Sequence, residues 1–319
     1  MPAQLPGIHH VTCITGDVQR NVDFYVSVLG LRFIKKTVNF DVPDTYHLYY
    51  ADLVGTPGTA MTFFGWPHLP WGAQGAGQIR EVSFAIPPEA LDFWSARLRD
   101  LEVPHDRERR FDTEVITFAD PDRMRLELVG DAAALESRWQ AWDGGPIQPE
   151  HQIRGFHSVT LLERALEPTA QFLTGTLGFR EAGNDCDRVR FTTGAGGASA
   201  TVNVIADSAA PRSHEAVGTV HHVAWRATDE EHQLQWRAAV VEAGRDVTPV
   251  INRKYFRSIY FREPGGVLFE IATDGPGFTV DESVADLGSS LQLPPQYEER
   301  RENLNFNLPP IDVPSFART

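Results

Sequence analysis

Two histidine pairs are the residues best placed to do chemistry, His9-His10 and His221-His222, each near the start of an alternating apolar segment. A lone histidine on such a segment is more often a hydrogen-bonded core or surface residue than a ligand. Two at corresponding positions of a repeat, followed by a carboxylate (Glu270) on a later strand, change that reading. One imidazole from each pair and one carboxylate make a facial triad. Such a triad leaves coordination positions open and suits a non-haem ferrous oxygenase.

The elements that must bring these groups together are found by internal self-similarity. Ile8-His9-His10-Val11-Thr12 resembles Phe156-His157-Ser158-Val159-Thr160 at an offset of 148, and the same offset carries Leu29-Gly30-Leu31-Arg32 onto Leu177-Gly178-Phe179-Arg180. Ile79 through Phe84 matches Val220 through Trp225 at an offset of 141, and Asp120-Pro121 through Glu127 matches Glu263-Pro264 through Glu270 at 143. The chain therefore reads as two related halves of two modules each. In module one, a strand over Ile8–Thr15 precedes Asp17 as helix N-cap, with Val18, Val22, Tyr25, Val28 and Leu29 at helical spacing and Gly30 as C-cap. Three short strands follow, near Phe33–Phe40, Tyr46–Asp52 and Ala60–Phe64.

Modules two to four repeat this βαβββ order, so the fold class is α+β. The expected division is an N-terminal half over 1–130, a linker over 131–153, a C-terminal half over 154–275 and a tail over 276–319. Phe278, Leu287, Leu291, Leu293 and Tyr297 let that tail wrap over the body. The inward first-strand positions are His10, Glu81, Ser158 and His222. The last-strand positions are Phe63, a residue near Val202–Val204, Glu127 and Glu270. Pairing module one with four gathers His10, His222 and Glu270 beside an apolar fourth corner. Pairing one with two gathers His10, Glu81 and Glu127, and three with four gathers only His222 and Glu270. The first choice, leaving module two to pair with three, makes the best single oxygenase site. Glu81 and Glu127 then remain structural or solvated.

Composition narrows the function classes. A chain of 319 residues, 42% hydrophobic and 23% charged, builds a sizeable core and is neither disordered, collagen-like nor a disulfide scaffold. A net charge of −14 argues against nucleic acid or an anionic membrane as partner. No basic-then-apolar leader and no run of about 20 apolar residues occurs, which points to the cytoplasm. Cys13 and Cys186 are far apart and read as reduced core residues. The glycine-rich stretches Gly72–Gly77 and Gly194–Gly197 read as turns rather than nucleotide loops.

The four modules, the Leu-Gly-Leu helix ending and the Pro264-Gly265-Gly266-Val267-Leu268-Phe269-Glu270 strand resemble the vicinal-oxygen-chelate superfamily of glyoxalases and extradiol dioxygenases. Longer words resemble the hydroquinone-type ring-cleaving dioxygenases, typified by dichlorohydroquinone dioxygenase. They are Ile8 through Thr12, Asp52 through Thr59, Arg154 through Ser158, Val220 through Ala224 and Tyr260 through Glu270, with Gly277-Phe278-Thr279 and Pro295-Gln296-Tyr297 in the tail. The resemblance implies two glyoxalase-like domains and an Fe(II) ion, with Mn(II) suiting the same ligands, held by His10, His222 and Glu270. It implies a small aromatic diphenol and O2 as reactants.

It also implies that Thr12 and His9 meet the substrate, that Tyr260 or His221 supplies a proton, and that Arg253 orients a phenolate. In a regular strand His9 and His221 face away from His10 and His222, so a bulge or twist must redirect them. Thr12 is otherwise an ordinary strand former, Tyr260 a rim residue and Arg253 a solvated cation. Two other functions compete. A glyoxalase-like metal-dependent isomerase or lyase would recruit Glu81 and Glu127 to His10, and a metal-free aromatic-binding resistance protein needs no triad. Phe63, Trp66, Trp71 and Trp225 are candidates to set the pocket size, and exposed sheet edges make a homo-oligomer plausible.

Overall fold

The structure is a computed structural model that describes residues 2–72, 74–136 and 138–316; the last residues of the expected tail, 317–319, lie outside the described residues. Module one runs β1 (Ile8–Thr15), α1 (Val18–Val22), β2 (Arg32–Val38), β3 (Tyr46–Ala51) and β4 (Ala60–Gly65). Module two runs β5 (Gln78–Ile86), α2 (Leu91–Asp100), β6 (His105–Arg110), β7 (Thr113–Ala119) and β8 (Arg125–Gly130). Module three has β9 (Phe156–Glu163), α3 (Leu166–Gln171), β10 (Arg180–Asp185), β11 (Arg188–Thr192) and β12 (Thr201–Ala206). Module four has β13 (Val220–Ala227), α4 (Glu230–Glu242), β14 (Ile251–Asn252), β15 (Arg257–Arg262) and β16 (Leu268–Thr273). The tail adds β17 (Leu291–Gln292) and α5 (Arg301–Asn307).

Local chemistry sets these boundaries. The Asp17 carboxylate accepts from the amides of Gln19 and Arg20, satisfying two of the orphan donors at the start of α1. The helix continues as a π-turn over Asp23–Val28 and stops at Gly30, whose φ of +67° is left-handed. A Cβ at Gly30 would lie 2.6 Å from Ile147 Cδ1, so the interdomain crossing packs directly on this helix end.

Within each module the first strand pairs parallel with the last, and modules join across their antiparallel first strands. Modules four and one form a nine-stranded sheet in the order β14-β15-β16-β13-β1-β4-β3-β2-β17, while modules three and two form the eight-stranded sheet β10-β11-β12-β9-β5-β8-β7-β6. This is the one-with-four and two-with-three pairing that the repeat favoured. Each sheet packs one face on its helices around Trp94, Trp225 and Trp236, all buried. The other face curls into a cup. All eight residues of β1 are buried, because helices cover one face and the cup encloses the other.

The tail fills part of the first cup. Phe278 and Leu287 join Tyr49, Tyr255 and Phe256 in a small core of their own. The fully buried Lys35 ammonium is neutralised by Asp281, at 2.6 Å, and Glu282. Cys13 is buried as expected, but Cys186 is exposed at the β10–β11 turn, where φ is +51°. A turn needs backbone freedom, not a buried thiol. Among the described residues, no helix is long and apolar enough to cross a membrane.

The two sheets meet where buried Glu163, at the end of β9, faces buried Glu263. Burial, then the charge of Glu263, raises the Glu163 carboxyl to about 9. Its folded value lies above its unfolded one, so its contribution to stability is complete below about pH 4.5 and is lost as pH rises toward 9. Thermal scans between pH 5 and 9 are expected to show a falling melting temperature that Glu163→Gln flattens. An unchanged slope in the variant would remove this pair as its source.

Candidate metal centre

The seam between β1 and β13 carries two bulges that the strand pattern alone does not reveal. Ile8 pairs with Trp225 and His10 with Ala224, so His9 is an extra residue on β1; Thr12 pairs with His222 and Cys13 with Val220, so His221 is extra on β13. Two residues then oppose one, and the local bend re-aims their side chains. His10 and His222 thereby face each other across the seam, with Nε2 atoms 3.4 Å apart. Glu270, on β16 beside Ala224, reaches between them. Its Oε2 lies 2.8 Å from His222 Nε2 and 3.2 Å from His10 Nε2.

All three groups are buried and their ligand atoms form one cluster. Ser258 donates to Glu270 Oε1, but among the described residues no donor is aligned on the buried Oε2, despite the short distances. The three atoms thus converge on a common point instead of satisfying one another. Their separations are close to the roughly 3 Å edges of a site with ~2.1 Å bonds at right angles. Burial opposes the Glu270 charge, but the adjacent His10 and His222 outweigh it and hold the carboxyl well below its usual range. Burial lowers His222, and burial with a neighbouring imidazole lowers His9 and His221 to about 3 each. Neutral imidazoles and an ionised carboxylate are the forms that bind a divalent metal.

The bulges also settle where the outer histidines go. His221 Nδ1 is 2.7 Å from His222 Nδ1, and His221 lines the cavity above the cluster. His9 Nδ1 is 2.9 Å from His10 Nδ1, but its ring packs at 5.0 Å from Phe256 and is not in the cavity wall. The structure places His9 behind His10, against that ring and outside the cavity wall. Metal-binding histidines commonly use the second nitrogen in this way.

The cavity holds about 200 Å³. Thr12, Arg253 and Tyr260 all line it, as the motifs implied, and Arg253 Nε donates to the Tyr260 oxygen at 3.1 Å. Burial and the Glu270 charge raise the Tyr260 phenol, so it stays protonated at neutral pH. With its oxygen accepting from Arg253, its own hydrogen is left for the cavity. Arg253 also grips Asp41, at 3.0 and 3.1 Å, and so ties the β2–β3 loop to the rim.

Of the four candidate aromatic walls only Trp66 serves. Trp225 packs on Phe179 and Phe269 in the core, Trp71 is exposed, and Phe63 lies against Tyr25 beneath the sheet. The fourth corner is consequently Thr62, polar rather than apolar. His47, Tyr49 and Phe256 were missed as lining residues. The first two had a signal, since polar groups two apart on a strand share a face.

The second cup repeats the backbone device without the chemistry. Arg80 and His157 are its extra residues, and its inward positions are Glu81, Glu127, Ser158 and Asn203. Arg188 forks onto Glu81 at 2.6 and 3.2 Å, and Arg110 pairs with Glu127, leaving about 10 Å³. Glu81 and Glu127 lie in a different sheet from His10 and cannot join it.

The profile of the Glyoxalase/Bleomycin resistance protein/Dioxygenase superfamily matches residues 7–128 and 155–271. The chain belongs to this superfamily. It is 42% identical over 315 residues to the Bacillus subtilis protein named "Putative ring-cleaving dioxygenase MhqO", covering 98% of this chain and 99% of the relative. It is 35% identical over 312 residues to the Sphingobium indicum "Chlorohydroquinone/hydroquinone 1,2-dioxygenase", covering 95% and 96%. A Bacillus subtilis crystal structure described as a "putative dioxygenase" superposes with a TM-score of 0.92 at 41% identity, over 98% of this chain and all of that one.

The second cup yields a stability test. Arg188→Ala leaves buried Glu81 without its forked partner and is expected to cost about 3 kcal/mol in denaturant unfolding. A loss under ~0.5 kcal/mol would mean that Arg80, Arg110 and Arg125 already compensate Glu81.

Proposed function

We propose that this protein is an Fe(II)-dependent ring-cleaving dioxygenase that opens a hydroquinone or substituted hydroquinone with O2. The observation that carries this reading is the convergence of His10 Nε2, His222 Nε2 and Glu270 Oε2 at one end of a cavity of about 200 Å³. A cavity near 150 Å³ accommodates benzene, so this one suits a single ring with small substituents. The hydroquinone dioxygenase among its relatives supports the substrate class. Two imidazoles and one carboxylate, with no thiolate, fit ferrous iron, and Mn(II) suits the same set. When bound there, the metal supplies electron exchange between the diphenol and O2 at its open positions.

The chain's own groups do the rest. Phe64, Trp66 and Phe256 offer flat apolar walls to the ring and exclude water. Arg253 holds the Tyr260 oxygen and steadies negative charge on the substrate. Tyr260, protonated and turned to the cavity, is a proton donor. His221, neutral, offers a hydrogen-bond donor beside it, because a His222 ring that offers Nε2 to the centre donates its Nδ1 hydrogen to His221 Nδ1 and leaves the His221 hydrogen on Nε2. The isomerase alternative loses its extra carboxylates to the second cup. The metal-free alternative leaves Glu270 Oε2 buried beside two imidazoles with nothing aligned on it.

Anaerobically Fe(II)-loaded protein in an oxygen electrode is expected to consume about one O2 per hydroquinone, with a new semialdehyde absorbance. His222→Ala should lower the rate by at least ~1000-fold, the scale expected when a metal centre is dismantled. No uptake with hydroquinone, methylhydroquinone or catechol, despite bound iron, would sink the reading. Metal analysis gives a separate check. Wild type and Glu81→Ala should retain about one iron per chain, and Glu270→Ala should lose it. Retention by Glu270→Ala would place the metal elsewhere.

A further inference from the structure

A second hydrogen-bonded chain stands on the opposite side of the cavity from Tyr260, and the triad does not use it. Tyr49 OH lies 2.9 Å from His47 Nδ1, His47 Nε2 lies 2.9 Å from Thr62 Oγ1, and Thr62 Oγ1 lies 2.8 Å from Thr12 Oγ1. Thr62 and Thr12 are fully buried, Tyr49 nearly so. The His47 ring is clamped between Tyr49 and Phe64, with centroids at 4.2 and 4.5 Å. Thr12, His47 and Tyr49 all line the cavity.

The chain has a counterpart across the pseudo-twofold. Thr12 pairs with Thr62 as Ala224 pairs with Glu270, and Tyr49 pairs with Thr62 as Tyr260 pairs with Glu270. His47 therefore corresponds to Ser258, which orients Glu270 by donating to Oε1. In module four this arrangement orients a carboxylate. In module one the same positions orient a hydroxyl.

Counting hydrogens shows what that hydroxyl can do. Burial holds the His47 imidazole neutral, so Tyr49, His47, Thr62 and Thr12 carry one exchangeable hydrogen each. Three links use three of them. Among the described residues neither end has another partner, so the fourth hydrogen projects from Thr12 or from Tyr49. Thr12 is two residues from His10 on the same strand face. An ionised oxygen bound beside the triad draws the spare hydrogen to the Thr12 end. That fixes every link: Tyr49 donates to His47 Nδ1, His47 Nε2–H donates to Thr62, and Thr62 donates to Thr12.

We propose that Tyr49, His47 and Thr62 are positioning residues that keep the Thr12 hydroxyl hydrogen turned into the cavity as a donor to an ionised substrate oxygen. The inference rests on the ring-cleaving reading and deepens it, because it makes the bound form of the diphenol its phenolate. No proton leaves the chain; the four groups hold their hydrogens in one of two possible directions.

The test compares Thr62→Val, which keeps the shape and removes the link, with Thr62→Ser, which restores it. In the iron-loaded enzyme Thr62→Val is expected to lower kcat roughly 10- to 100-fold with KM within about threefold, the range for one hydrogen bond to a charged group. Thr62→Ser should recover to within about threefold of wild type. Equal rates in wild type and Thr62→Val, or a loss that Thr62→Ser fails to restore, would overturn the proposal.

A second readout needs no turnover. In zinc-loaded wild type with bound 4-nitrophenol, long-range ¹H–¹⁵N spectra are expected to show His47 with its hydrogen on Nε2; a hydrogen on Nδ1 overturns the proposal. A wild type that cleaves no diphenol would refute the ring-cleaving reading alone, since the His47 tautomer is read independently of it.

Discussion

Everything in the first cup depends on how two antiparallel first strands meet at β1 and β13. A regular seam would alternate neighbouring side chains to opposite faces, sending one member of each histidine pair into the helices. The extra residues His9 and His221 break that alternation at symmetric points. Each pair can then keep its inner ring on the cluster and its outer ring against the inner ring's second nitrogen. The bulges thus do two jobs with one distortion: they aim both Nε2 atoms at the cluster and they set each inner ring's Nδ1 against the outer histidine.

The same distortion in the second cup shows that backbone and chemistry are separable. Arg80 and His157 bulge as His9 and His221 do, and His157 Nδ1 reaches Ser158 Oγ at 2.9 Å much as His9 reaches His10. There the inward carboxylates are met by cations from the protein itself, Arg110 and Arg188. In the first cup, among the described residues, no arginine or lysine pairs with Glu270, and imidazoles stand beside Oε2. A buried carboxylate needs a compensating positive charge. The second cup supplies it from its own arginines; in the reading proposed for the first cup an ion supplies it.

Much of this was legible in the sequence because a repeat carries register. Offsets shared by several words put His10, Glu81, Ser158 and His222 at one structural position and Glu127 and Glu270 at another. The legibility ended where chain lengths differ. The expected fourth corner, Phe63, lies one residue beyond the observed one, Thr62. In a period of two, one residue exchanges the faces, so a core phenylalanine was read as a cup residue in place of Thr62. The bulges were invisible for a related reason, since they are properties of a pairing and not of either strand. His47 escaped because the repeat has serine at the matching position, Ser258, and only the β3–β4 register shows the two as equivalent.

The tail explains why a cup of this size encloses only about 200 Å³. Phe278 packs on Phe256, with centroids 6.4 Å apart, and Phe256 packs on His10 at 4.9 Å, so residues far along the chain press on the His10 ring through one intermediate. Tyr297 donates to the Phe40 carbonyl and Tyr46 to that of Pro309, pinning the β2–β3 loop whose Asp41 meets Arg253. Lys35 anchors the start of this strap through Asp281 and Glu282, inside the sheet. A buried ammonium is stable only while both chain segments are in place. The closed cavity and the ordered tail are therefore one structural event, and the volume of about 200 Å³ is set as much by residues 278–311 as by the strands that carry His10, His222 and Glu270.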